Sequence, residues 1–105
     1  MGVDATHELF SLCVHREGDA SVVWLSGELD LEHAHEVAAA LVHAEGSTVV
    51  VDLSELELID SSGIAALLTA RRRIRAEGRH FEIRRARGAT RRVFLAGGLE
   101  DQLSD

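Results

Sequence analysis

The densest concentration of reactive side chains in the sequence is Asp60-Ser61-Ser62-Gly63, a carboxylate followed by two hydroxyls. It stands between an apolar stretch and the start of a helical pattern, which makes Ser61 the best N-cap candidate. A hydroxyl there accepts hydrogen bonds from the free backbone N–H groups of the first turn, and a phosphoryl group added to it would meet the positive end of the helix dipole. Serine is common at helix starts, so the residue type alone implies only a cap. His33, His35 and His43 suggest a metal cluster, but residues two apart on a helix point about 200° apart and eight residues span about 12 Å. No metal site is expected from them. Asp52 and Asp60 resemble a phosphoacceptor pair, yet the chain has no lysine, all eleven basic residues being arginine. That excludes a P-loop clamp, a Schiff base and a receiver-type lysine, so the aspartates read as caps and contacts. Cys13 has no histidine and acid spaced to activate it and reads as packing, and Trp24 reads as core. No catalytic set is present, no enzyme activity is expected, and no cofactor is called for.

The elements that position these residues belong to a small protein. One hundred and five residues, 46% apolar and without proline, make one domain over 1–105 with its core at about 8–100. A chain of this size holds one core and no deep internal active site, so function belongs on a surface edge. A single cysteine rules out an internal disulfide framework and suits a reducing compartment, and the cytoplasm is the expected location. Met1 to Thr6 lacks the features of a signal peptide, and no apolar run approaches the roughly 18 residues of a spanning helix. Membrane insertion is not expected. The net charge of −7 disfavours nucleic acid, but it is unevenly divided: residues 1–60 carry −12 and residues 61–105 carry +5. Arg71-Arg72-Arg73-Ile74-Arg75, lacking interleaved aromatics, reads as a solvated helix face or partner rim.

Leu9 to Arg16 alternates as a strand covered on one face, and Glu17-Gly18-Asp19 forms a hairpin turn. Ser21 to Ser26 is the return strand, stopping at Gly27. Ala34, Val37, Ala38, Leu41 and Val42 form a helical stripe capped by Asp30 and ended by Gly46. Thr48 to Leu53 is a β-branched strand followed by a polar connection. A second helix has Ile64, Leu67, Leu68 and Ile74 on its apolar face and stops at Gly78. Phe81 to Arg84 is a short strand, and Thr90 to Ala96 a third helix closed by Gly97-Gly98. The order β-β-α-β-α-β-α predicts an α/β fold with a mixed, mostly parallel sheet and helices packed against it. Ligands of such sheets meet the carboxyl ends of the strands. The loops Gly27 to Asp30, Ser54 to Gly63 and Arg85 to Gly88 are therefore expected on one edge.

Val49-Val50-Val51-Asp52-Leu53-Ser54 and Leu58-Ile59-Asp60-Ser61-Ser62-Gly63-Ile64 together resemble the signature of bacterial anti-sigma-factor antagonists of the STAS superfamily. Gly27-Glu28-Leu29-Asp30 with Ala34 matches a second family motif, and Arg91-Arg92-Val93-Phe94 with Gly98-Leu99 is similar to the family's third helix and its exit. The resemblance implies a STAS fold and a partner-switching role. By it, Ser61 is the serine phosphorylated by an anti-sigma factor that is also a GHKL-type serine kinase, the unphosphorylated form binds that kinase and frees a sigma factor, and a PP2C-like phosphatase restores it. ATP would be bound by the kinase. The implied partner contacts are Glu28, Asp30, Asp60, Ser62, Gly63 and Ile64. Arg84, Arg85 and Arg87 are candidates to pair with the phosphate should their loop lie close. The sequence departs from the family pattern at His33 and Thr90. It also ends where relatives usually add a strand and a helix, so Leu99 to Leu103 is expected to supply only a short strand, with truncation or cover by a neighbouring molecule as the alternatives. A homodimer is left open. The alternative function is a non-phosphorylated STAS subunit docking on the ATPase of a lipid-transport ABC system.

Overall fold

The computed structural model describes residues 10–104. Leu9, the first residue of the expected opening strand, and Met1 to Thr6 lie outside them. β1 (Phe10–Glu17) and β2 (Ala20–Leu29) form an antiparallel hairpin, followed by α1 (Leu31–His43), β3 (Thr48–Ile59), α2 (Ser61–Ala76), β4 (His80–Arg84) and α3 (Gly88–Ala96). The sheet order is β1-β2-β3-β4, with β2, β3 and β4 mutually parallel as neighbours. Both the element order and the mixed sheet are those expected from the sequence.

The turn between β1 and β2 has two residues, with Glu17 opposite Ala20. Gly18 opens it at φ +61°, the type II′ geometry that suits the right-handed twist of the two strands. On one face of the sheet, Val23 and Leu25 of β2, Val49, Val51 and Leu53 of β3, and Phe81 and Ile83 of β4 are buried. They share one core with Val37 and Leu41 of α1, Leu67, Ala70 and Ile74 of α2, and Phe94 of α3. Strand alternation puts Val22, Trp24, Val50, Asp52 and Arg84 on the opposite face.

Two expected boundaries are corrected. Gly27 does not stop β2, which runs on to Leu29, and Ser54 to Ile59 is not a loop but the second half of β3. The two strands stay paired because β3 accommodates two extra residues, at register shifts between Trp24 and Ser26 and between Gly27 and Glu28. Each shift is a β-bulge, and Gly27 sits beside the second at φ +87°. The bulges change the inward spacing from two residues to three, so that Leu53, Leu56 and Ile59 are all buried. Alternation fails there, which is why the stretch reads as a connection.

β4 ends at Arg84, opposite Asp52, so the β2–β3 pair projects beyond it by seven residues of β3, from Leu53 to Ile59. α3 takes the place beside that projection, where the buried Thr90 hydroxyl donates to the Leu56 carbonyl at 3.1 Å. The segment Leu99 to Leu103, expected as a short strand, is instead a 3₁₀ turn at Glu100–Gln102 followed by a single parallel bridge between Leu103 and Ile83. Ser104 N–H donates to the Ile83 carbonyl at 2.8 Å. The tail thereby covers part of the free edge of β4.

Candidate functional site

The projecting ends of β2 and β3 carry two helix starts side by side. Glu28 is opposite Leu58 and Leu29 opposite Ile59, and Asp60 N–H donates to the Leu29 carbonyl at 3.1 Å. Each strand then turns directly into a helix through an aspartate. Asp30 Oδ1 accepts from Glu32 N–H at 3.1 Å to cap α1, and Asp60 Oδ1 accepts from Gly63 N–H at 3.0 Å to cap α2. The N-cap of α2 is therefore Asp60, not Ser61 as expected. The carboxylate is the stronger acceptor for the positive helix end, which moves Ser61 into the first helical position. Ser61 is exposed and Ser62 half-buried.

Gly63 is buried for a definite reason. A Cβ on it would lie 2.7 Å from Ile59 Cγ1, 2.8 Å from Leu29 Cγ and 3.0 Å from the Leu29 carbonyl oxygen. Only glycine lets α2 start this close to the ends of β2 and β3, so it sets the position of Ser61 from beneath. Ile64 packs half-buried against the core. Of the six residues implied as partner contacts, Glu28, Asp30, Asp60 and Ser62 come together at the edge, while Gly63 and Ile64 lie under or beside it.

The edge is apolar as well as acidic. Leu31, at the first position of α1, is 69% exposed, and Leu58 is 47% exposed opposite Glu28. Between α1 and α2 runs an open groove of about 310 Å³ lined by Leu31, Ala34, His35, Ala38, Ser62 and Ala65, among others. The sequence pattern does not signal this groove, because alanines read as part of each helix's own stripe. His33 is fixed at the same end, its ring stacked on Phe10 at 4.3 Å between centroids and its Nδ1 3.3 Å from Glu36 Oε1. Asp30, Glu32 and His33 each bring one ligand atom within 4.8 Å of the others. They stand at the positive end of α1, which opposes a cation, and Asp30 and His33 already have partners. His33, His35 and His43 do not form such a group.

The arginine segment after β4 begins at a separate ionic cluster in the middle of β3. Asp52, fully buried, accepts from Arg84 Nε at 2.8 Å, from Ser54 N–H at 2.9 Å and from the Ser54 hydroxyl at 2.6 Å, with Arg85 Nη1 at 3.5 Å. Burial pushes the Asp52 carboxyl up, but the Ser54 hydroxyl and the Arg84 guanidinium outweigh it and hold the group below the usual carboxylate range. Arg84 also lies over the Trp24 ring, 5.6 Å from its centroid. Trp24 is thus a half-buried platform on the open face of the sheet, not core. Ile59 is seven residues along the bulged part of β3 from Asp52, at most roughly 23 Å at strand rise. Arg84 is committed to Asp52, at the other end of that stretch from the turn into Ser61, which speaks against it as the phosphate's partner. The first two expected loops meet at the edge, while the third runs from Arg84 and Arg85, tied to Asp52, to Thr90, tied to Leu56.

The chain is a parallel β-α-β-α-β unit behind an antiparallel hairpin, with paired aspartate-capped helix starts at its projecting end. The family described as "Mlab, STAS domain" matches residues 12–105, and the chain belongs to the STAS domain family. No curated protein matches the sequence significantly. Solved structures do. An anti-sigma factor antagonist from Mycobacterium paratuberculosis is 26% identical with a TM-score of 0.79, covering 90% of this chain and 83% of that one. The anti-sigma factor antagonist SpoIIAA in its unphosphorylated form is 23% identical with a TM-score of 0.76, covering 90% of this chain and 87% of that one. The phosphorylated form of Bacillus SpoIIAA is 22% identical with a TM-score of 0.65, covering 90% of each chain. Among the described residues no helix is long and apolar enough to cross a membrane.

Proposed function

We propose that this protein is an anti-sigma factor antagonist switched by phosphorylation at Ser61. The observation that carries the reading is the exposed Ser61 at the first turn of α2, in an acid-rimmed, apolar edge of a fold shared with anti-sigma factor antagonists. In the unphosphorylated form the edge binds an anti-sigma factor that is also a GHKL-type serine kinase, with Leu31 and Leu58 as apolar contacts and Glu28, Asp30, Asp60 and Ser62 around them. That binding frees the sigma factor. The kinase, carrying ATP, transfers the γ-phosphoryl group to the Ser61 oxygen, and a PP2C-like phosphatase later removes it.

The switch needs no large motion. The phosphoryl group adds about −1.5 to −2 charge beside Asp60. Like charge brought into an interface costs several kcal/mol, and about 5.5 kcal/mol turns 99:1 occupancy into 1:99. The helix dipole favours the phosphate in the free protein and in the complex alike, so the difference between them comes from repulsion and lost burial at the interface. On this reading the protein acts by binding and catalyses nothing itself.

A second reading, a STAS subunit that docks permanently on the ATPase of a lipid-transport ABC system, is kept because the matching family is described by Mlab and not by an antagonist. Affinity capture from native lysate with Ser61→Ala and Ser61→Asp baits separates the two. A GHKL kinase held by the alanine bait and lost with aspartate is the expected result. An ABC ATPase held equally by both baits overturns the sigma-regulation reading.

A further inference from the structure

The two edges of the sheet are treated differently. β4 is five residues long, and the tail bridges to it at Ile83. β1 is eight residues long, and among the described residues nothing pairs with its outer side. Unpaired strand edges are usually blunted by lysine, proline, a bulge or an inward charge. From Phe10 to His15 β1 has none of these, and its register with β2 is unbroken from Phe10 opposite Gly27 to Glu17 opposite Ala20.

The hairpin fixes which backbone groups face outward. In a two-residue turn the closing pair, Glu17 and Ala20, is hydrogen-bonded, and hydrogen-bonded pairs then alternate along the ladder. Glu17, His15, Cys13 and Ser11 therefore spend their backbone groups on β2. Those of Arg16, Val14, Leu12 and Phe10 point away from the sheet. The same four residues share one side-chain face. At its ends, Phe10 stacks on His33 and Arg16 bonds Glu45 Oε1 at 3.0 Å. Between them Leu12 is half-buried, and Val14 is left 48% exposed.

We propose that the outer edge of β1 is the interface for a second copy of this chain, paired antiparallel about a two-fold axis at Cys13. An antiparallel edge is self-complementary, as a two-fold interface requires. Centring on Cys13 overlaps seven residues of the described strand, with Phe10 opposite the partner's Arg16 and Ser11 opposite the partner's His15. Leu12 falls opposite the partner's Val14 and covers it. Outward backbone groups meet outward groups, because Leu12 and Val14 are both of that set. Cys13 meets the partner's Cys13 as a non-hydrogen-bonded pair at about 4.5 Å between Cα atoms. Centring on Val14 gives an overlap of the same length but sets Leu12 opposite the partner's Arg16, whereas centring on Cys13 pairs the two apolar residues, Leu12 and Val14, with each other. The four-stranded sheet then continues into one of eight strands, and in each copy Ser61 follows β3, two strands in from the paired edge.

The test uses the full chain. Sedimentation velocity across a concentration series is expected to show dimers, and copper–phenanthroline oxidation under native conditions is expected to link them through Cys13, the chain's sole cysteine. Val14→Lys, at an exposed position, is expected to raise the dimer dissociation constant at least about tenfold and to abolish cross-linking while leaving the circular dichroism unchanged. Cys13→Ser is expected to remain dimeric without the cross-link. A wild-type chain that stays monomeric at the highest concentration overturns the proposal. So does a dimer that fails to cross-link at Cys13 or persists in Val14→Lys.

Discussion

Ser61 owes its place to its neighbours more than to its own chemistry. Asp60 takes the cap, and Gly63 removes the one methyl group that would keep α2 away from Leu29 and Ile59. The serine is left exposed in the first turn, where its hydroxyl is free for another use. This division of labour was only half legible in the sequence: Asp-Ser-Ser-Gly marks a helix start, but both Asp and Ser are good caps, and composition does not rank them. The glycine's role was invisible because it depends on contacts from β2, some thirty residues earlier in the chain. Gly63→Ala is therefore expected to cost about 1–3 kcal/mol, the range for forcing extra atoms into a packed site. Urea unfolding measures it. If stability is unchanged, α2 can shift outward without loss, and glycine is not what positions Ser61. The same variant is expected to weaken partner capture more than its small size suggests, since any outward shift moves the acceptor relative to Asp30 and Asp60.

At the scale of elements, the order of strands and helices was readable because each obeys a simple period: two for β1, 3.6 for α1 and α2, and an unbroken apolar run for the first half of β3. The second half of β3 was not readable, since bulges at two places turn the inward spacing from two to three and mimic a polar loop. The same bulges hide that Arg84 and Arg85 meet Asp52 in the middle of β3. Their task is to clamp β4 to that strand through Asp52. The fully buried carboxylate there is held ionised below the usual range, so the sign of its pH effect is fixed. A carboxyl whose folded-state affinity for a proton is depressed stabilises the fold above its unfolded titration range, and that contribution is lost as pH falls through the folded value. Unfolding free energy is expected to drop as pH is lowered below about 5, where an unfolded aspartate begins to protonate. In Asp52→Asn that drop should be smaller, from a lower starting stability. Denaturation curves at several acidic pH values check this. An equal acid dependence in both proteins would mean that other carboxylates carry it.

Over the whole molecule, charge is sorted along the chain and, through the fold, in space. Residues 1–60 hold −12, and the edge around Ser61 collects Glu28, Asp30, Glu32, Glu57 and Asp60. The excess arginines lie further on, with Arg72, Arg73 and Arg75 exposed along the second half of α2, away from that edge. The molecule therefore presents a negative end carrying the candidate site. Such a field acts over about a Debye length, roughly 10 Å at 0.1 M salt, and steers encounter with a basic partner surface more than it sets the lifetime of the complex. For the kinase partner proposed above, raising ionic strength is expected to slow association markedly while the dissociation rate changes little. Surface plasmon resonance at a series of salt concentrations separates the two rates. Ser61→Asp should behave in the opposite way, raising the dissociation rate at every salt concentration, because its added charge sits inside the contact and loses burial along with gaining repulsion. An association rate that is flat with salt would show that the acidic rim does not meet a basic surface, and the exposed Leu31 and Leu58 would then be left to carry recognition without electrostatic guidance.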